Sequence, residues 1–156
     1  MRRAIIALTL LLAGCSSGPS RTVPLPSPTP GAINTAPPPG VYNPNVTQAN
    51  ISSTICVVGW TATVRPPQSY TSALKRQQIA ARHLADTNPA DYEEDHFIPL
   101  ELGGAPSDPN NLWPQPHTTS VGKDAAENRL HAAVCHGRMR LDAARSAITD
   151  PANWHK

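Results

Sequence analysis

The sequence predicts a small α+β domain held by one disulfide, in which a β-hairpin and a following helix form a ββα unit with flanking helices and short strands. Three observations predict it. Two short apolar runs, at 97–102 and 112–113, lie on either side of the turn Gly103-Gly104, the pattern of a hairpin. Ala126, Leu130, Ala133 and Val134 then recur at helical spacing. Cys56 and Cys135 complete the picture as an even pair within the folded part.

The chain opens on a segment that is not part of a fold. Arg2 and Arg3 precede an apolar core at 4–13, too short for a typical membrane span. Leu12-Ala13-Gly14-Cys15 resembles the lipobox of bacterial lipoprotein signal peptides. The resemblance implies that residues 1–14 are removed and that Cys15 carries lipid. An ordinary secretory signal cleaved nearby is the alternative, and both readings export the protein. The expected location is the cell membrane or outer membrane, with the chain facing the periplasm or exterior.

Export decides how the cysteines are read. With Cys15 assigned to lipid, Cys56 and Cys135 are expected to pair in an oxidising compartment. Closing a loop of about 80 residues would stabilise the fold by roughly 3–4 kcal/mol in the chain-entropy model. Neither cysteine sits in a CxxC or CxxH pair, so zinc is not expected there.

Half of the 18 prolines lie before residue 50. Residues 15–49, rich in Pro, Ser and Thr, are expected to be a flexible, extended tether, and 50–156 the domain. Three of the 13 basic residues (Arg2, Arg3, Arg21) precede residue 50 and none of the 11 acidic ones does, so the domain itself is near −1. This argues against avid binding to nucleic acid through phosphates alone.

Within the domain, the run 55–58 and the alternation 61–64 predict two short strands around Gly59, ended by Arg65-Pro66-Pro67. Ser69 is a candidate cap for a helix from 70 to about 84. Tyr70, Ala73, Leu74, Ala81 and Leu84 share its inner face, and Lys75, Arg76 and Arg82 face solvent. Thr87-Asn88-Pro89-Ala90 breaks that helix and leads into the hairpin. Residues 114–122 are expected to be loop, because Pro114 and Pro116 interrupt the second strand. A helix at 122–136 follows, closed by Gly137. A last helix from 141 to about 149 turns Leu141, Ala144, Ala147 and Ile148 inward, and Trp154 packs back on the domain. The chain holds only seven aromatics, and Trp60 and Trp113 are expected in the core. His83, His117, His136 and His155 receive structural roles.

The chemistry is expected in the stretch Glu94-Asp95-His96-Phe97-Ile98-Pro99-Leu100 and the helix after it. A histidine that titrates near neutrality can take a proton from water. A divalent cation can stabilise charge on a phosphodiester's leaving oxygen. One carboxylate seldom holds such an ion, so Asp95 needs a second ligand from elsewhere. Asp124, Glu127, Asn128 and His131 on the later helix are the candidates.

Asp95-His96, Pro99-Leu100, Leu102-Gly103-Gly104, Asn110-Asn111-Leu112 and the polar helix resemble the HNH (ββα-metal) endonucleases. The closest resemblance is to small exported bacterial members with DHxIPLxLGG and NLWPxP runs, and it covers residues 55–154. It implies a membrane-tethered, metal-dependent nuclease acting on DNA or RNA, with magnesium, manganese or zinc as cofactor and the monomer as the working form. By that resemblance Asp95 is a metal ligand, His96 the general base and Asn111 the brace of the hairpin loop. Glu127 is the first choice for the second ligand, through Lys123-Asp124-Ala125-Ala126-Glu127, with Asn128 next. Lys123 would meet a substrate phosphate or pair with Glu127 at i,i+4. The chain departs from the commonest pattern in lacking a terminal His or Asn just before a Lys. A non-catalytic envelope lipoprotein that uses the same scaffold for binding is the alternative.

Overall fold

A hairpin is formed, but its first strand precedes the apolar run at 97–102. That run is instead loop with a 3-10 turn at Leu100–Leu102, so Gly103-Gly104 lies inside the connection and is not a tight hairpin turn. In the computed structural model, which describes residues 34–156, strand β1 (Tyr92–His96) pairs antiparallel with β2 (Leu112–Pro116), with Asp95 opposite Trp113 and His96 opposite Leu112. Phe97 N–H adds one more rung to the Asn111 carbonyl at 2.8 Å. That rung sets the phase of the ladder. Hydrogen-bonded pairs fall on 95/113 and 93/115, so Pro114 and Pro116 occupy positions that owe the ladder no N–H. Both prolines therefore lie inside β2, and the loop expected at 114–122 is absent. Helix α3 (His117–Cys135) starts directly after β2, five residues earlier than expected.

Helix α1 (Trp60–Val64) stands where the second short strand was expected, and the preceding run at 55–58 is turn. Among the described residues the sheet has two strands. A further strand would have no ladder for its backbone groups, and a helical turn satisfies them locally. Helix α2 (Gln68–Ala81) follows Pro67. Its buried residue is Ile79, whereas Ala81, expected inward, is exposed. Lys75 and Arg82 turn toward the protein instead of solvent. Lys75 Nζ donates to the Tyr92 carbonyl at 2.7 Å, and Arg82 Nη1 to the Ala36 carbonyl at 2.6 Å. The polar face of α2 is thus a clamp along the hairpin, continued by Gln78 Nε2 donating to the Leu112 carbonyl at 2.9 Å.

One core cluster joins Phe97, Ile98, Leu102 and Trp113 of the hairpin to Ala126, Leu130 and Val134 of α3. Leu141, Ala144 and Ile148 of helix α4 (Leu141–Ile148) complete it, as expected, with Trp154, whose indole N–H donates to the Ile148 carbonyl at 2.8 Å. Trp113 is buried in this core and Trp60 packs at its margin. Gly137 adopts φ +69 at the end of α3, a conformation that L side chains rarely take. The expected disulfide is present: Cys56 and Cys135 are bonded with Cα atoms 5.5 Å apart. It ties the C-terminal end of α3 to the turn before α1.

Among the described residues, those before residue 50 also pack on the domain. Asn34 N–H bonds the Arg82 carbonyl, Asn43 N–H bonds the Gly103 carbonyl and Ala105 N–H bonds the Val41 carbonyl, all within 3.0 Å. Val46 is a core residue, 2 % exposed. Residues 34–49, expected as tether, are therefore a strap laid across the hairpin loop. Proline-rich composition limits what a segment can bury, but its carbonyls and remaining N–H groups still pair. The expected signal segment, the expected lipidation site Cys15 and the earlier part of the expected tether lie outside the described residues. No described helix is long and apolar enough to cross a membrane.

Candidate functional site

Asp95 and His96 end β1, where the hairpin gives way to the loop 97–111. That loop is held by Asn111, which is fully buried. Its Oδ1 accepts from Ile98 N–H at 3.0 Å, and its Nδ2 donates to the carbonyls of Ile98 at 3.0 Å and Ala105 at 2.9 Å. The side chain thus bridges both arms of the loop and leaves no polar atom idle. Gly104 completes the closure. A Cβ there would lie 1.8 Å from the Ile98 carbonyl oxygen, so only glycine permits this approach.

The braced loop presents the Pro106 carbonyl to His96, whose Nε2 lies 2.8 Å away. A carbonyl only accepts, so Nε2 carries the proton and Nδ1 holds the lone pair of the neutral ring. Burial lowers the pKa of His96; the Pro106 contact and Asp95 oppose this, while the positive charges of Arg65 and Lys123 add to it. The net direction is downward, which keeps the imidazole neutral and basic around pH 7. His96 is 5 % exposed.

Because α3 departs directly from β2, its first turns run back over β1 and bring Lys123 and Glu127 to Asp95. Lys123 is wholly buried, and its Nζ donates to the His96 carbonyl at 2.8 Å and to Glu127 Oε1. It also lies 2.6 Å from Asp95 Oδ2. That last contact is an ion pair off the hydrogen-bond direction, and Asp95 Oδ2 has no hydrogen-bond donor. Burial opposes the Lys123 charge, but Asp95 and Glu127 outweigh it and hold its pKa above the ordinary lysine value. Burial also raises the Glu127 carboxyl to about 7; Lys123 lowers it and Asp95 raises it. The expected i,i+4 pair of Lys123 with Glu127 is therefore made. Lys123, the expected phosphate contact, has no exposed surface here, and its Nζ faces protein oxygens.

The other candidates divide clearly. Asn128 is exposed and donates to the Asp124 carbonyl on its own helix; one helical step from Glu127 turns it away from β1, so it joins no ligand set with Asp95. Asp124 is exposed but close enough to raise the pKa of Glu93. His131, two turns beyond Lys123, bonds the Ile55 carbonyl at 2.8 Å and lies 3.8 Å from Glu101 Oε2. Together with Cys56 and Cys135, it places ligand atoms within 4.8 Å of one another, a group that could hold a metal ion. Joined as a disulfide, the two sulfurs have no thiolate to offer. The spacing His131-x-x-x-Cys135 on one helix was the signal for this group, and a test for CxxC or CxxH passes it over.

Two functional candidates escaped the sequence reading. Glu93 shares the face of Asp95 at strand period two, and burial, Asp95 and Asp124 all raise its pKa. Arg65 was read as the end of a strand, yet it is exposed and its charge reaches His96.

The arrangement supplies a neutral imidazole beside two carboxylates that meet on one cation. Three oxygens surround that cation: Asp95 Oδ2, Glu127 Oε1 and the His96 carbonyl. An all-oxygen set with two anionic members is also the kind of set that a hard divalent cation takes; here its occupant is the Lys123 ammonium. The chain matches no protein-family model, no curated protein and no solved structure.

Proposed function

We propose that the protein is a membrane-tethered, metal-dependent endonuclease of the HNH type that hydrolyses phosphodiester bonds of DNA or RNA. The observation that carries this reading is the meeting of Asp95 and Glu127 at one point, next to a histidine whose proton is fixed on Nε2. The strand–strand–helix order of β1, β2 and α3 and the Asn111 brace support the same reading. His96 Nδ1 takes the proton from an attacking water. Asp95 and Glu127 hold the divalent cation, which when bound supplies charge stabilisation at the leaving oxygen. Arg65, exposed and within electrostatic reach of His96, meets the phosphate in place of Lys123. Magnesium suits the oxygen donors, and manganese can replace it.

Cleavage of plasmid DNA and of RNA by the full chain, with magnesium or manganese against EDTA, tests the reading. Activity should require metal and be lost in His96→Ala. If neither substrate is cut with either metal, the reading falls.

A non-catalytic envelope module is the second reading, favoured by the near-complete burial of His96 and by the Lys123 ammonium standing between the carboxylates. Its signature would be an intact fold and unchanged thermal stability across all metals, with no cleavage.

A further inference from the structure

A lysine with no exposed surface is rare unless its charge is fully paired. Lys123 meets that condition with oxygens alone: the His96 carbonyl at 2.8 Å, Asp95 Oδ2 at 2.6 Å and Glu127 Oε1. An ammonium has three donors and no acceptor, so this pocket is a cation site built for one occupant. With both carboxylates ionised, the cluster around the single ammonium carries −1, and a divalent cation in the same place would bring it to zero. The Asp95 and Glu127 side chains remain 18 % and 17 % exposed, although Asp95 Oδ2, the oxygen that faces Lys123, is itself buried. Lys carries its ammonium on a flexible four-carbon stem, so its displacement is a side-chain movement.

We propose that Lys123 is a built-in competitor for the metal: its ammonium and a divalent cation occupy the same oxygen cage in turn, and metal entry expels Lys123. This rests on the reading that Asp95 and Glu127 take a divalent cation. Lys123 then serves two states. It holds β1 and α3 together while the cage lacks metal, and it weakens metal affinity by the work of its own displacement. A purely structural ion pair would do only the first.

The test uses the full chain purified in detergent micelles. Manganese affinity is read from the EPR signal of free Mn²⁺ for wild type, Lys123→Met and Asp95→Asn. The proposal expects Lys123→Met to bind at least tenfold more tightly than wild type and Asp95→Asn to lose binding. In parallel, magnesium is titrated into ¹⁵N-labelled wild type while the lysine ammonium signals are followed. The chain has three lysines, and the Lys123 signal is assigned by its loss in Lys123→Arg. Saturating magnesium should shift that signal or broaden it through faster exchange with water. Equal or weaker manganese binding by a folded Lys123→Met overturns the proposal, as does an ammonium signal that saturating magnesium leaves unchanged. If Lys123→Met does not fold, the wild-type ammonium signal decides alone. Binding by wild type that Asp95→Asn abolishes but Lys123→Met leaves unaltered removes the competition and keeps the metal site. Binding by none of the proteins removes both.

Discussion

The side-chain amide of Asn111 pairs with both backbone groups of Ile98, accepting from its N–H at 3.0 Å and donating to its carbonyl at 3.0 Å. The side chain imitates a strand neighbour at the point where the real ladder ends. Its second donor hydrogen holds the Ala105 carbonyl, and the next carbonyl, that of Pro106, orients His96. Asn111 is thus a positioning residue that acts on His96 through two residues of loop.

Asn111→Ala should cost on the order of 3 kcal/mol, since it strands three buried backbone groups that water cannot reach. Asn111→Asp should do no better, because a carboxylate keeps the acceptor and loses both donors. Gly104→Ala should be worse than either, given the 1.8 Å approach to the Ile98 carbonyl. Urea denaturation of the three variants ranks them; a wild-type midpoint for Asn111→Ala would show that the brace is dispensable.

The Cys56–Cys135 bond spans 79 residues and encloses α1, α2 and the whole hairpin. Removing it with Cys56→Ala and Cys135→Ala together should cost about 3–4 kcal/mol by lost loop-closure entropy. The loss should be uneven. The last turn of α3 and the turn before α1 depend on the bond, whereas the β1–β2 pairing is held by its own ladder and by Asn111. Amide hydrogen exchange should therefore accelerate most around Val134 and Ile55 and least around Asp95 and Trp113. Uniform acceleration would contradict this division.

Glu94 feels the charges of Lys75 on α2 and of Arg82 just past its end, and gains a hydrogen bond from neither. Lys75 donates to the Tyr92 carbonyl and Arg82 to the Ala36 carbonyl, and both Glu94 carboxylate oxygens are buried without a partner. Burial pushes the carboxyl up to about 8, against the pull of Lys75 and Arg82 and with a further rise from Asp95. A folded value above the unfolded one means the folded protein binds the extra proton. The associated stability is present below about pH 4.5 and is lost as pH rises through about 8. Allowing for solvent screening, the loss should be on the order of 1–2 kcal/mol, or roughly 5 °C in Tm. Glu94→Gln removes the titrating group, so its Tm should exceed that of wild type at pH 9 and approach it at pH 6. Identical differences at both pH values would rule out Glu94 as the source.

The second strand of the hairpin, α4 and the disulfide were legible because their signals are local or countable, whereas the first strand lies before the apolar run that suggested it. Asn111 enters the second strand at Leu112-Trp113, Leu141, Ala144 and Ile148 keep helical period, and with Cys15 expected to carry lipid, Cys56 and Cys135 can pair in one way. The strap at 34–49 was not legible, since its proline-rich composition reads the same whether the segment is free or laid across Gly103 and Ala105. The turn at 55–58 and α1 depended on whether a third strand existed to pair with, which no window of five residues contains. At the site, Asp95 and Glu127 follow from the motif. The burial of Lys123 does not, because it depends on α3 leaving β2 without a loop. Pro114 and Pro116 suggested that loop, and the ladder phase set by Phe97 and Asn111 makes them compatible with the strand.

Arg65 offers the sharpest test of the catalytic reading, because its charge acts on His96 and, on that reading, its side chain meets the substrate. Its positive charge is one of the influences that lower the His96 pKa. Arg65→Ala removes that influence, so the His96 pKa should rise and the acidic limb of the pH–rate profile should move to higher pH. The lost phosphate contact should appear separately, as a KM raised about tenfold, the scale of one charge-assisted hydrogen bond. Arg65→Lys keeps the charge and should restore the pH profile while recovering KM only in part, since the planar fork is gone. A variant that changed kcat alone, with neither KM nor the acidic limb displaced, would separate Arg65 from both roles.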